Sequence, residues 1–473
     1  MLWWKVHEPG APELAAARGD VQPRLDRGNW VGAAARASVP GGLLINEPLH
    51  DLQERAEATA RAIASGAQVI YEASVLADGL FASVDILERK RGGFVLVEVK
   101  SSLDVKPEHI PDVAFQVHAF RLRGVVIKRA EVMHLNRAAR YPDLSNLFVR
   151  RNVTPQVNTA LRSVPRRARS LLASLAGPLP EVKTGAHCTE PHECPFMGRC
   201  WPAIPKHHVS TLYRISPKKL QSALKDGHET LLDLPGDFAT SGPAQRQVQS
   251  VRKRRIVVEP GLGPALNELE SPIAFLDFET VAPPIPAWGG CRPYEQVPVQ
   301  FSCHVQGPRG VVHHEWLAEG RADPREHFAK ALLSACDGAR TVLAYNAPFE
   351  KGCITGLVEA IPRLAPQLSR LLGRIKDLLP IVRDHVYHPA FLGSFSIKSV
   401  LPALVSGMSY EDLEIQDGMT ASMALESLLF DGEALAPVAK QAMRRALLRY
   451  CERDTLAMVR LHERLLDLSV ARR

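Results

Sequence analysis

The sequence predicts an α/β protein with two cores, and three observations carry that prediction. Residues 69–136 read as strand, hairpin, helix and strand. A second apolar strand pattern begins at Ser271 with IAFLDFET. The chain between them is basic and cysteine-bearing, then rich in Pro, Gly, Ser and charge. At 473 residues the chain exceeds one ordinary core, so two or three domains are expected.

Each element has a local reason. Residues 49–66, LHDLQERAEATARAIASG, read as a helix closed by Gly66. LFASVDILER and GFVLVEVKSS are strand-like runs joined by a charged, Gly-containing turn, a hairpin signature. IPDVAFQVHAFRLRG reads as a helix and VIKRAEVMHLN as a strand. Residues 151–183 are basic and helical, most clearly in RRARSLLASL, and HCTEPHECPFMGRCW follows. Residues 205–270, including TSGPAQRQVQSVRKRR, read as a connector with some helix. Beyond Ser271, IAFLDFET, VPVQFSCHVQG, GVVHHEWLA and TVLAYNAPF read as strands, REHFAKALLSAC as a helix, and the remainder as largely helical.

A hydrophobic content of 46% and a charged content of 23% are those of a soluble globular protein. The net charge of +7 suits a nucleic-acid partner. MLWWKVHEPG lacks the apolar core of a signal peptide, and no run approaches the roughly 20 apolar residues of a membrane span. A cytoplasmic protein without a membrane partner is the expectation. Cys291, Cys303, Cys336, Cys353 and Cys451 read as core thiols, with Cys451 packing beside Tyr450. His313, His314, His385 and His388 show no ligand partner and read as structural or surface residues.

The chemistry concentrates in IAFLDFETV, residues 273–281, and RYCERDTLAM far downstream. Alternate residues of a strand share a face, so Asp277 and Glu279 project together. Tyr450 and Asp454, four apart, share one face of a helix. Three carboxylates and a phenol suit two divalent ions, Mg²⁺ or Mn²⁺, and the water they activate. That combination points to phosphodiester cleavage. LAYNAPFEKGCI adds Asn346 and Glu350 after another apolar run, followed by Asp377 in RIKDLLPIV and by GSFSIKSVLPAL.

In this order the segments resemble the DEDD exonucleases of the DnaQ and RNase D type, in the variant ending Tyr-x-x-x-Asp. The resemblance implies a ribonuclease-H-like fold and cleavage from the 3′ end. It implies that Asp277 bridges both ions, Glu279 and Asp454 complete the first, and Glu350 serves the second. Tyr450 would orient or deprotonate the attacking water. Those enzymes carry aspartate where this chain has Glu350, and Asp377 is the nearest spare carboxylate.

A second constellation precedes it. Asp85 and Glu98-Val99-Lys100 lie on paired strands, with Glu98 and Lys100 on one face. Two carboxylates can hold a divalent ion while the lysine orients water or stabilises charge on phosphate. Glu72, one strand earlier, is a candidate extra ligand, and Gln116 on the following helix can reach the same place. The set resembles the PD-(D/E)xK nucleases of the RecB-type branch, whose later motif is Gln-x-x-x-Tyr. Here Gln116 is followed by Phe120, so the tyrosine hydroxyl is missing.

Cys188, Cys194 and Cys200 are interleaved with His187 and His192. Three thiolates are one short of a 4Fe–4S cluster or a four-cysteine Zn²⁺ site, and a histidine can complete the zinc set. The alternative is unligated thiols in a Pro-rich loop. RecB-type nucleases with an iron-sulfur clasp place one cysteine before the core, commonly in a Cys-Pro segment leading into aromatic residues. MLWWKVHEP resembles the sequel to such a motif, which sets the expectation that the native polypeptide begins upstream. The basic segments at 166–170 and 252–255 can contact phosphates or form a solvated face.

Taken together, the resemblance implies a bacterial two-nuclease family. Its parts would be a PD-(D/E)xK domain with the cysteine segment (1–204), a connector (205–270) and a DEDD-like domain (271–473). The expected function is a metal-dependent nuclease acting on DNA ahead of RNA, in repair or defence. The alternative is a nucleic-acid-binding protein with one or both sites silent, motivated by Glu350, Phe120 and the incomplete cysteine set.

Overall fold

The fold is that of a computed structural model, which describes residues 1–190, 192–201 and 203–470; the side chains of 15–24, 26 and 186 lie outside the description. The chain is mixed α/β and divides into two compact units, Met1–Pro202 with Pro283–Glu295, and Ala203–Ala282 with Gln296–Arg473. No described helix is long and apolar enough to cross a membrane.

The first unit is built on a six-stranded sheet ordered β1 to β6: Leu43–Leu44, Val69–Ala77, Leu80–Lys90, Gly93–Lys100, Ile127–Leu135 and Phe148–Asn152. β2, β3 and β4 form an antiparallel meander, while β4 and β5 run parallel around the helix His109–Leu122. That helix buries Val113, Val117 and Phe120, at four- and three-residue spacing, in the core of Ile70, Val84, Leu96 and Val132. Asp51 caps the helix Leu52–Ala64 by accepting from the Glu54 amide. The short strands β1 and β6 and the 27-residue helix Pro12–Ser38 carry no clear period in sequence.

The second unit holds a two-stranded pair of β7 (Val257–Val258) and β13 (Val386–Tyr387). Its main sheet has the order β10-β9-β8-β11-β12, with β8 Ile273–Val281, β9 Val297–Gly307, β10 Gly310–Leu317, β11 Thr341–Ala344 and β12 Ile375–Asp377. β8 is central, antiparallel to β9 and parallel to β11. Its alternation divides two cores. Ala274, Leu276 and Phe278 pack with Phe328 and Leu332, whereas Ile273 and Phe275 pack with Met458, Leu461 and Leu465. The latter three belong to the long helix Pro437–Val470, whose buried residues recur every three or four positions from Leu447 to Leu468.

Two boundaries differ from expectation. Residues 205–270 pack as part of the second unit, because Val209, Leu231, Ala244 and Val248 form a core of their own around the helix Gly242–Lys253. Residues 283–295, between β8 and β9 in sequence, belong to the first unit, where Trp288 is buried and the Tyr294 hydroxyl donates to Ser101 O at 2.7 Å.

Candidate metal centre

The odd face of β8 that buries Ile273 and Phe275 also carries Asp277 and Glu279. The buried stripe of the C-terminal helix brings Tyr450 and Asp454 over that face. One donor atom from each of Asp277, Glu279 and Asp454 lies within 4.8 Å of the others. Burial pushes the Asp277 carboxyl well above its usual range, and Asp454 and Glu279 push further in the same direction. Burial and Asp454 act alike on Glu279. Asp454 is raised to about 6 by burial, with the Tyr410 hydroxyl and Lys398 opposing the rise. Carboxylates so buried and so close repel unless protons or cations intervene.

Glu350 enters from the first turn of the helix Pro348–Ala360 and lines a cleft of about 390 Å³ with Asp277, Glu279, Asn346 and Ser422. It is 3% exposed, its Oε2 has no hydrogen-bond partner among the described residues, and burial raises its pKa to about 7. Asp377, the nearest spare carboxylate in sequence, serves here as a cap. Its Oδ1 accepts from the Leu379 amide at 3.0 Å, capping the helix Leu378–His385, and from the Asn346 amide at 2.9 Å. It thereby supports the turn that presents Glu350, in which Asn346 sits at φ 73°.

Three further residues belong here. The Tyr410 hydroxyl donates to Asp454 Oδ1 at 2.5 Å. Lys398, from SIKSVL, lies 3.5 Å from the Tyr450 hydroxyl and 5.2 Å from the centre of the Tyr410 ring. The Cys451 thiol, expected only to pack, lies 3.6 Å from Asp277 Oδ2. Tyr410 sits in a loop with no periodic signal, held to the C-terminal helix by the Arg453–Asp412 ion pair at 2.8 Å. The sequence signal for Lys398 is the resemblance of SIKSVL to the Ser/Leu-Lys-x-Leu helix start that precedes the last motif of the DEDD exonucleases.

In the first unit Glu98 Oε2 accepts from Gln116 at 2.8 Å, and its Oε1 accepts from Lys100 at 2.8 Å. Asp85 Oδ2 accepts from the Val99 amide at 2.7 Å. Burial, then Glu98, raises the Asp85 carboxyl well above its usual range. Lys100 is also held by Asp112 at 2.5 Å; burial lowers its pKa, but Glu98 and Asp112 outweigh that and keep it high. The Glu72 carboxylate is paired with Arg36 at 2.9 Å. Asp85, Glu98, Lys100 and Gln116 thus come together, with Asp112 and Arg36 as partners the sequence did not reveal. Phe120 is fully buried in the core.

Cys188, Cys194 and Cys200 are free thiols, half-buried or exposed, and among the described residues they form no convergent donor set. Arg199 ties their segment to the N-terminus through Glu8 and Glu13, at 2.6 and 2.7 Å, and lies over the Trp4 and Phe196 rings. The arginines at 166, 167 and 169 are exposed, as are residues 252–255.

The chain matches the profile of a domain of unknown function (DUF2779) over residues 274–396, a span that includes Asp277, Glu279 and Glu350. No curated protein matches. Among solved structures, the family B DNA polymerase from the hyperthermophilic archaeon Pyrobaculum calidifontis is similar at 17% identity and a TM-score of 0.27. The similarity covers 41% of this chain and 24% of that chain.

Proposed function

We propose that this chain is a metal-dependent nuclease whose principal active site is the carboxylate centre of the second unit. The convergence of Asp277, Glu279 and Asp454 within 4.8 Å, beneath Tyr450, carries the proposal. All-oxygen donors suit hard divalent cations such as Mg²⁺ or Mn²⁺. Asp277, Glu279 and Asp454 would hold one ion, and Glu350, which lines the same cleft, would serve a second. When bound, such ions lower the pKa of water and offset charge on the phosphate. The chain's own groups do the rest. The phenol of Tyr450, kept protonated by burial and the neighbouring acids, orients the attacking water by hydrogen bonding. Tyr410 fixes Asp454, and Lys398 beside Tyr450 contributes positive charge near the cleft.

In finer terms, the second unit is a DEDD-type, ribonuclease-H-like exonuclease of 3′ to 5′ direction, and the first a PD-(D/E)xK nuclease. DNA is the expected substrate, and repair or defence the setting. A second reading holds for the first unit, that it binds nucleic acid without cutting it. Lys100 clamped between Glu98 and Asp112 favours that reading. The further proposal for Cys188, Cys194 and Cys200 is that they hold an iron-sulfur cluster or a zinc ion, and iron and zinc analysis of the purified chain tests it.

The test is incubation with labelled single- and double-stranded DNA and RNA plus Mg²⁺ or Mn²⁺. Loss of cleavage in Asp277→Ala but not Lys100→Ala assigns the activity to the second unit. Binding without product, under every metal tried, overturns the nuclease reading.

A further inference from the structure

A second convergent donor set lies outside the carboxylate cleft. His304 on β9 and His313 on β10 are directly paired across the antiparallel ladder, and their rings stack at 4.4 Å. Glu452, from the C-terminal helix, approaches His313 Nδ1 at 3.8 Å. One donor atom from each of His304, His313 and Glu452 lies within 4.8 Å of the others. Cross-strand pairing places two imidazoles side by side on one face, and the overlying helix supplies the carboxylate.

Hydrogen bonds to Ser302 and Thr455 hold both rings in place. The Thr455 hydroxyl donates to Glu452 O at 3.1 Å, so its oxygen is free to accept from His304 Nδ1 at 2.8 Å and from the Ser302 hydroxyl at 2.6 Å. Ser302 in turn accepts from His313 Nε2 at 2.9 Å. With the protons placed in this way, the lone pairs fall on His304 Nε2 and His313 Nδ1. Metal-binding histidines are commonly held in this way, with the second ring nitrogen donating to a fixed oxygen.

We propose that His304, His313 and Glu452 form a structural site for a zinc-class ion, fastening the β9–β10 hairpin to the helix that carries Tyr450 and Asp454. Two imidazoles and one carboxylate are a zinc donor set, with a fourth position left for water or for Glu315, exposed on the same face of β10. The mixed nitrogen and oxygen donors separate this site from the all-carboxylate cleft, which favours harder ions.

Zinc titration of the full chain tests the site, in a background carrying Cys188→Ser, Cys194→Ser and Cys200→Ser, with excess Mg²⁺ to occupy the carboxylates. The background is expected to take up one equivalent of Zn²⁺ and to gain thermal stability from it. His313→Ala and Glu452→Gln alter half-exposed positions; each is expected to bind Zn²⁺ roughly ten-fold more weakly or worse, and to lose the thermal gain, with an unchanged circular dichroism spectrum. A background that takes up no zinc overturns the proposal, as do variants that retain zinc unchanged. Neither result bears on strand cleavage, so this site and the nuclease reading stand or fall separately.

Discussion

The hydroxyl of Tyr410 donates to Asp454 Oδ1 at 2.5 Å, joining a loop residue with no sequence signal to the last carboxylate of the metal centre. The bond holds Asp454 in place and opposes the rise in its pKa that burial imposes. Tyr410→Phe keeps the ring and removes the donor. Half-saturating Mg²⁺ is expected to rise by about ten- to a hundred-fold, as for other outer-shell partners of metal ligands. Cleavage rate against Mg²⁺ concentration measures it, and an unchanged half-saturation refutes the role.

Asp277→Asn separates the cost of the carboxylate cluster from its use. The substitution preserves volume and removes one charge from a buried, mutually repelling set. The metal-free protein is expected to gain on the order of 1 kcal/mol in urea unfolding. Activity is expected to fall about 10³-fold, equivalent to about 4 kcal/mol of barrier. Loss of stability together with activity would mean that Asp277 serves the fold.

Tyr450→Phe addresses the chemical step. The hydroxyl interacts with the carboxylates, but Tyr410 is the larger support of Asp454, so metal half-saturation should stay put while the rate drops about 10²- to 10³-fold. Equal falls in rate and metal affinity would instead make Tyr450 a positioning residue.

The pH dependence of metal-free stability has a defined sign. Asp454 and Glu350 titrate at about 6 and about 7 in the folded chain, above their ordinary values of 3.8 and 4.5. The folded state therefore binds more protons between these limits. Their contribution is complete below pH 4 and disappears as pH rises through 6 to 7, by on the order of 3 kcal/mol for Glu350. Thermal unfolding at pH 5 and pH 8 checks this, and Glu350→Gln should flatten the difference. Added Mn²⁺ should stabilise more at pH 8, where fewer protons compete for the carboxylates.

In the first unit Lys100 lies between Glu98 and Asp112. Lys100→Ala leaves Glu98, 8% exposed, with Gln116 as its remaining side-chain donor. A loss of about 1–3 kcal/mol in stability is expected from urea titration. Any cleavage that survives Asp277→Asn and then vanishes in Lys100→Ala would belong to this unit.

Sequence alone determined whatever repeats over a few residues. The alternation of IAFLDFETV put Asp277 and Glu279 on one face, and the four-residue spacing put Tyr450 and Asp454 on another, because strand and helix periods are local properties of the chain. The 80–100 hairpin and its Glu98-Val99-Lys100 face were legible for the same reason. Only the tertiary structure decided which distant side chains meet these faces. Tyr410 at Asp454, Asp112 at Lys100, Asp377 serving as a cap, and Glu452 beside a cross-strand histidine pair all depend on packing between elements far apart in sequence. The membership of 205–270 and 283–295 was decided in the same way, since burial of Leu231 or Trp288 depends on what covers them. Such encounters are set by the shape of the packed core, which no short window of residues encodes.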